Sequence, residues 1–255
     1  MPFIQLSDIC NEPTYRGRYL EYHVRRTRPR SWTLQIVVNV VYRWAFDYAG
    51  KWDEARKARF RSAFARNASR TWSRRYSVWN GDPADGGSVG VEVHIDVVEK
   101  PHHPNDTWQV LVYPERPDRT LDAPEGFDEQ PQPIRCAPRF SGWPHDLPRP
   151  VRPSDEVRRV GMCFLFERSV EIARVLPDDP HVQRASDHEV GHMLGLDHPG
   201  GICSEDRCYG RGETRHRIMG MGMEVTHDDY AFAPRIMHHY SHTPIGRRAW
   251  WLYRK

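Results

Sequence analysis

Between Ser186 and Gly201 the chain reads "SDHEVGHMLGLDHPGG", with three histidines and a glutamate at spacings that suit metal chemistry. On a helix, His188 and His192 stand four residues apart and project from one face, one above the other. Two imidazoles so placed can present nitrogen atoms to one Zn2+ ion at about 2.0–2.1 Å. Glu189 then lies beside such an ion rather than on it. From there its carboxylate can take a proton from a zinc-bound water and pass it to a leaving amine. The ion would lower the pKa of that water toward about 7 and polarise a carbonyl, giving hydrolysis with no protein nucleophile. Gly195 readily takes the left-handed conformation that ends a helix and turns the chain. His198 can then swing back as a third ligand. A helix that merely happens to be rich in histidine explains neither Glu189 nor the Gly195–His198 spacing.

The full pattern, His188, Glu189, His192, Gly195 and His198, resembles the metzincin clan of zinc endopeptidases. The resemblance implies three histidines on zinc, Glu189 as general base and a methionine turn beneath the metal. It also implies an α+β fold: a twisted mixed sheet over the active-site helix, with a smaller irregular C-terminal subdomain below. The similarity covers residues 186 to about 240, and the earlier part of the chain matches in the order of its elements alone. Two methionines compete for the turn. Met219 stands in "RIMGMG", where Gly220 and Gly222 allow a tight reversal; Met237 stands in "RIMHHY", close to Tyr240. Met219 is favoured. Thr226 followed by Asp228 and Asp229 reads as a helix start, and in that helix Tyr230, Ala233 and Met237 share a core-facing side. Glu224 is a reserve metal ligand, because an acidic residue after the turn replaces the third histidine in some bacterial relatives. Tyr230, Tyr240 and His227 are alternative donors to the oxyanion or contacts behind the ligands.

These residues need a scaffold. Trp32 to Trp44, "WTLQIVVNVVYRW", is rich in β-branched and aromatic residues and predicts a long strand. From Lys51 to Trp79, apolar residues at 52, 55, 60, 63, 64, 68 and 72 predict an amphipathic helix with an arginine-covered outer face, broken by "NGDPADGG". Strands follow over Ser88–Glu99, Asp106–Glu115 and the segment "VRRVGMCFLFERSV", where Cys163 reads as a buried thiol. A proline-rich insert of about 114–153 reads as a long functional or surface loop. The expectation is one domain over 1–255, with an upper sheet-and-helix part (1–195) and a lower part (196–255) carrying the methionine turn. His94, His102 and His103 read as strand or surface residues, and His238, His239 and His242 as a polar C-terminal patch.

A net charge of +3 over 255 residues makes no case for nucleic acid. With only four lysines among 37 basic residues, the arginine bias reads as genomic rather than functional. No window approaches the roughly 18 apolar residues of a membrane span, and the amino terminus lacks the pattern of a Sec-type signal. Five cysteines, with Cys203 and Cys208 close enough for a short loop disulfide, lean toward an oxidising compartment. The expected activity is zinc-dependent endopeptidase cleavage of an extended protein or peptide. Alternatives are a zinc hydrolase of a non-protein amide such as peptidoglycan, and an inactive zinc-stabilised binding module. A weaker resemblance to the zinc-peptidase effector domains of type VI secretion spike proteins implies a bacterial toxin or effector delivered outside the producing cell, as part of a larger secretion-system protein.

Overall fold

The computed structural model describes residues 14–16, 20–28, 31–45, 50–80, 89–101, 107–114, 162–174, 180–196, 198–199, 212–230, 232–240 and 250–254. Ten strands and three α-helices occur among them: β1 (Thr14–Arg16), β2 (Leu20–Arg28), β3 (Ser31–Trp44), α1 (Glu54–Trp72), β4 (Tyr76–Asn80), β5 (Val89–Glu99), β6 (Trp108–Tyr113), β7 (Met162–Phe166), β8 (Ala173–Arg174), β9 (Val182–Gln183), α2 (Ala185–Met193), α3 (Phe232–Tyr240) and β10 (Trp250–Arg254). The fold is α+β, a mixed sheet with helices.

Strand β3 is the hub. Its first ten residues run parallel to β5 on one side, and Ser31–Val38 pair antiparallel with β2 on the other. Beyond that, Val40–Trp44 pair with β6, which in turn lies parallel to β7. Further out the order continues β5-β4-β10, and β1 flanks β2. A 14-residue strand can serve two partners along one edge because each needs only part of its length. The pleat sends Trp32, Leu34, Ile36, Val38, Val40 and Tyr42 to one face, and all six are buried.

Helix α1 answers with Phe60, Phe64, Ala68 and Trp72 at four-residue steps, also buried. Tyr42 meets Phe60 and Phe64 edge-on, with ring centroids 6.0 Å away in each case. Fully burying a side chain of this size contributes about 1.5–3 kcal/mol, so this layer holds α1 firmly on the sheet. Asp53 caps the helix start by accepting from the Arg56 backbone N–H at 2.7 Å.

The helix ends earlier than the sequence suggests. It stops at Trp72, Arg74 takes a left-handed φ of 58°, and Tyr76–Asn80 form β4 instead of a last helical turn. The cause is tertiary: the Arg74 N–H bonds to Val93 O and Ser73 Oγ accepts from Ile95 N, so the sheet captures the chain there. The C-terminal end also departs from expectation. Residues 250–254, assigned to the lower part, return as β10 and pair antiparallel with β4. The proline-rich insert from residue 115 onward lies outside the described residues, as do Cys10, Cys136, Cys203, Cys208, His102, His103 and His242. Cys163 is a buried free thiol in β7, and His94 lies in β5 near Glu92. No helix among the described residues is long and apolar enough to cross a membrane.

Candidate metal centre

Helix α2 carries the histidine motif and is pinned at its first turn to the last turn of α1. Thr71 Oγ1 donates to Asp187 Oδ2 at 2.6 Å, and the Trp72 indole N–H donates to Asp187 O at 2.9 Å. Arg184 Nη1 lies 2.7 Å from the same carboxylate oxygen. Burial pushes the Asp187 carboxyl up, against the opposing pull of Thr71 and Arg184. At the far end the chain reverses by a Schellman turn: Gly195 N bonds to His192 O at 2.9 Å and Leu196 N to Gly191 O at 3.1 Å. Gly195 sits at φ 88°, a conformation that favours glycine.

That reversal brings His198 back onto the helix. The Nε2 atoms of His188, His192 and His198 form a near-equilateral triangle with sides of 3.0, 3.1 and 3.1 Å. Among the described residues this trio is the group of side chains that can hold a metal ion. His188 and His192 are buried and His198 is half-buried.

Carbonyl groups fix the other ring nitrogens. His188 Nδ1 lies 2.8 Å from Ile218 O, and His192 Nδ1 lies 2.8 Å from Leu196 O. A carbonyl oxygen only accepts, so each Nδ1 carries its proton and each Nε2 presents a lone pair. His188 Nε2 and His192 Nε2 therefore face each other at 3.1 Å with no hydrogen to share. Two lone pairs at that distance repel unless a cation lies between them. A tetrahedral ion with nitrogen ligands at 2.0–2.1 Å sets those nitrogens about 3.3 Å apart, close to the triangle observed. The donor set fits a metal ion. Burial, then the neighbouring His192 and His198, hold the His188 pKa well below the ordinary histidine value, and burial followed by His192 lowers that of His198 to about 3. Neutral, ligand-ready imidazoles follow.

Glu189 follows His188 directly on α2 and is half-buried, and burial raises its carboxyl to about 8. Cys163 in β7 feels the Glu189 charge: burial, then Glu189, push its thiol up. Strand β7 packs against α2.

The floor is the segment Arg217–Glu224, closed by a bridge between its end residues, by Ile218 N to Glu224 O at 2.7 Å and by Gly222 N to Arg217 O at 3.1 Å. A β-carbon on Gly222 would run into the carbonyl group of His216, which explains the glycine. Met219 lies in this turn, 1% exposed, with its thioether against Gly191 of α2. Met237 lies in α3 and is fully buried.

The remaining sequence candidates scatter. Glu224 is exposed and does not belong to the histidine cluster. Tyr230 is completely buried in the hydrophobic core, its ring 5.1 Å from Tyr76 and 5.3 Å from Phe232. His227 is exposed, edge-on to Tyr76 and 3.8 Å from Asp228. Tyr240 is the last residue of α3, and its side chain lies outside the described set. Thr226 does not open α3. Its N–H and hydroxyl both donate to Asp229 Oδ2 at 2.7 Å, while Arg217 Nη2 holds Asp229 Oδ1 at 2.8 Å. Residues 228–230 therefore make a separate 3-10 turn, and the α-helix begins at Phe232.

Gln183, in β9, escaped the sequence reading. Its amide touches both the floor turn and His188, and a lone glutamine two residues before a helix carries no pattern that marks it. Comparison with protein-family models, with curated proteins and with solved structures returns no significant match to this chain.

Proposed function

We propose that the chain is a zinc-dependent endopeptidase of metzincin type, with His188, His192 and His198 as ligands and Glu189 as general base. The observation that carries the reading is the facing pair of His188 and His192 Nε2 atoms, whose Nδ1 protons go to carbonyl groups, with His198 closing the triangle. When bound, the zinc ion supplies Lewis acidity, lowering the pKa of a water toward about 7 and polarising a carbonyl.

The chain's own residues do the rest. Ile218 O and Leu196 O keep the two helix imidazoles in the tautomer that offers Nε2 outward. Glu189, raised to about 8 in the metal-free fold, keeps its proton at neutral pH until a nearby cation draws it off; as a carboxylate it can then accept a proton from water and return it to a leaving amine. It stands next to a ligand in sequence, so the helix delivers base and ligand together. The substrate is an extended polypeptide, bound through its main chain at a strand edge above the cleft.

Purified protein should contain one zinc ion per chain and cleave members of a peptide library. Glu189→Ala should keep the ion and lose cleavage. Wild-type protein that holds zinc yet cleaves no peptide overturns the endopeptidase reading, and release of peptidoglycan fragments by the same sample would transfer the centre to a different amide.

A further inference from the structure

Gln183 pairs with Ala173 across the small β8–β9 ribbon, so its side chain points inward while that of Val182 points out. It is 7% exposed. Its Nε2 lies 2.8 Å from Ile218 O, 2.9 Å from Gly220 O and 3.3 Å from Gly222 O. Three alternate carbonyl groups of one turn thus converge on a single amide nitrogen. All three only accept, which fixes the amide with its NH2 group toward them. The turn's own N–H groups are committed elsewhere, those of Gly220 and Gly222 to Arg217 O and that of Met221 to Arg215 O.

The same nitrogen is 3.2 Å from His188 Nδ1. Its two hydrogens go to the nearer carbonyls, Ile218 and Gly220, so His188 Nδ1 keeps its own proton and gives it to Ile218 O. Ile218 O then accepts from Gln183 and from His188, filling both lone pairs.

We propose that Gln183 is a positioning residue for the metal centre: it gathers the carbonyl groups of Ile218, Gly220 and Gly222 and so aims Ile218 O at His188, setting that ring's tautomer. The proposal rests on the three-histidine reading of the centre. Without the amide, three carbonyl dipoles repel one another and the turn relaxes. Ile218 O leaves the ring, and the His188 proton can move to Nε2, the form that cannot offer Nε2 to a cation. Outer partners of a metal-bound histidine typically govern affinity by about 10–100-fold, the range expected here.

The test reads the tautomer directly. Protein labelled with 15N at histidine and stripped of metal should show His188 with its proton on Nδ1. Gln183→Met keeps the length and removes the donors; Gln183→Glu keeps the shape and turns a carboxylate on the carbonyls. Either variant, folded by circular dichroism and a cooperative melt, should shift His188 toward the Nε2–H form and bind zinc about 10–100-fold more weakly. Asn67→Ala, which removes a hydrogen bond to Val170 O and none to the turn, should lower stability and leave the tautomer as in wild type. Unchanged His188 signals and zinc affinity in a folded Gln183 variant overturn the proposal. A wild-type His188 protonated on Nε2 overturns it with no variant at all. Failure of wild-type protein to bind zinc would sink the reading of the centre, while the tautomer comparison would still decide the role of Gln183.

Discussion

The thioether of Met219 fills the place that a β-carbon on Gly191 would take. The floor turn and the motif helix therefore touch, side chain to backbone, at the residue immediately before His192. Trp72 of α1 crowds the same spot, 2.9 Å from that β-carbon position. Glycine at 191 is thus a packing requirement of three elements meeting under the histidines.

Gly191→Ala should destabilise the protein by about 1–3 kcal/mol, the range for forced overpacking. Helix propensity alone would favour the alanine by about 1 kcal/mol, so a net loss isolates the clash. In a Met219→Ala background the cost should shrink, and a urea double-mutant cycle measures the coupling. Strict additivity would contradict the contact.

Gly195→Ala tests the reversal. At φ 88° a side chain costs about 1–2 kcal/mol, and strain there moves Leu196 O away from His192 Nδ1. Zinc affinity, followed by competition with a chromogenic chelator, should fall about tenfold or more. Wild-type affinity in a destabilised variant would separate the turn from the ligand.

The clamp between α1 and α2 carries a charge-assisted hydrogen bond. Thr71→Val should cost about 1.5–3 kcal/mol in urea denaturation, because Thr71 Oγ1 donates to a carboxylate with no exposure. A change under about 0.5 kcal/mol, ordinary for a surface position, would show that Asp187 does not depend on it.

The metal-free protein should lose stability as pH rises above about 6.5. The Glu189 carboxyl, normally near 4.5, titrates at about 8 in the fold, so between those values the folded state holds a proton that the unfolded chain has released. Stability falls across that window. His198 acts oppositely: lowered from 6.5 to about 3, it makes stability rise with pH between those values. His188, also lowered by burial, acts as His198 does, and both effects level off above the ordinary histidine value, so thermal melts in a chelator should decline more steeply toward pH 8 in wild type than in Glu189→Gln. Parallel profiles would rule out a raised Glu189.

Loading the ion at pH 7 should release a proton from Glu189, since a nearby cation favours the carboxylate. Calorimetric titration with zinc in two buffers of different ionisation enthalpy counts that proton. Glu189→Gln should release fewer; equal release from both forms would place the proton elsewhere.

The order of the main elements was legible in the chain, because α1, β5 and β6 bury one face each and repeat with the period of a helix or a strand, while β3, buried on both faces along its middle, is a run of β-branched and aromatic residues. The motif spacing was equally legible, since a helix puts His188 and His192 on one face wherever it occurs, and Gly195 permits a turn that few other residues can make. Periodicity did not reveal the end of α1 or strands β4 and β10: β4 is short, and β10 finds its partner, β4, in the distant first part of the chain.

Local pattern thus determined which residues offer ligand chemistry: three imidazoles, one carboxyl and a glycine reversal. Only the tertiary structure decided how they are held. The carbonyl groups of Ile218 and Leu196 that set the tautomers, the Gln183 amide that gathers the floor turn, and the Met219 contact on Gly191 all depend on backbone atoms or on a missing side chain. Every residue has a carbonyl group, so no residue type announces which one will face a histidine; that is settled where the chain folds back on itself.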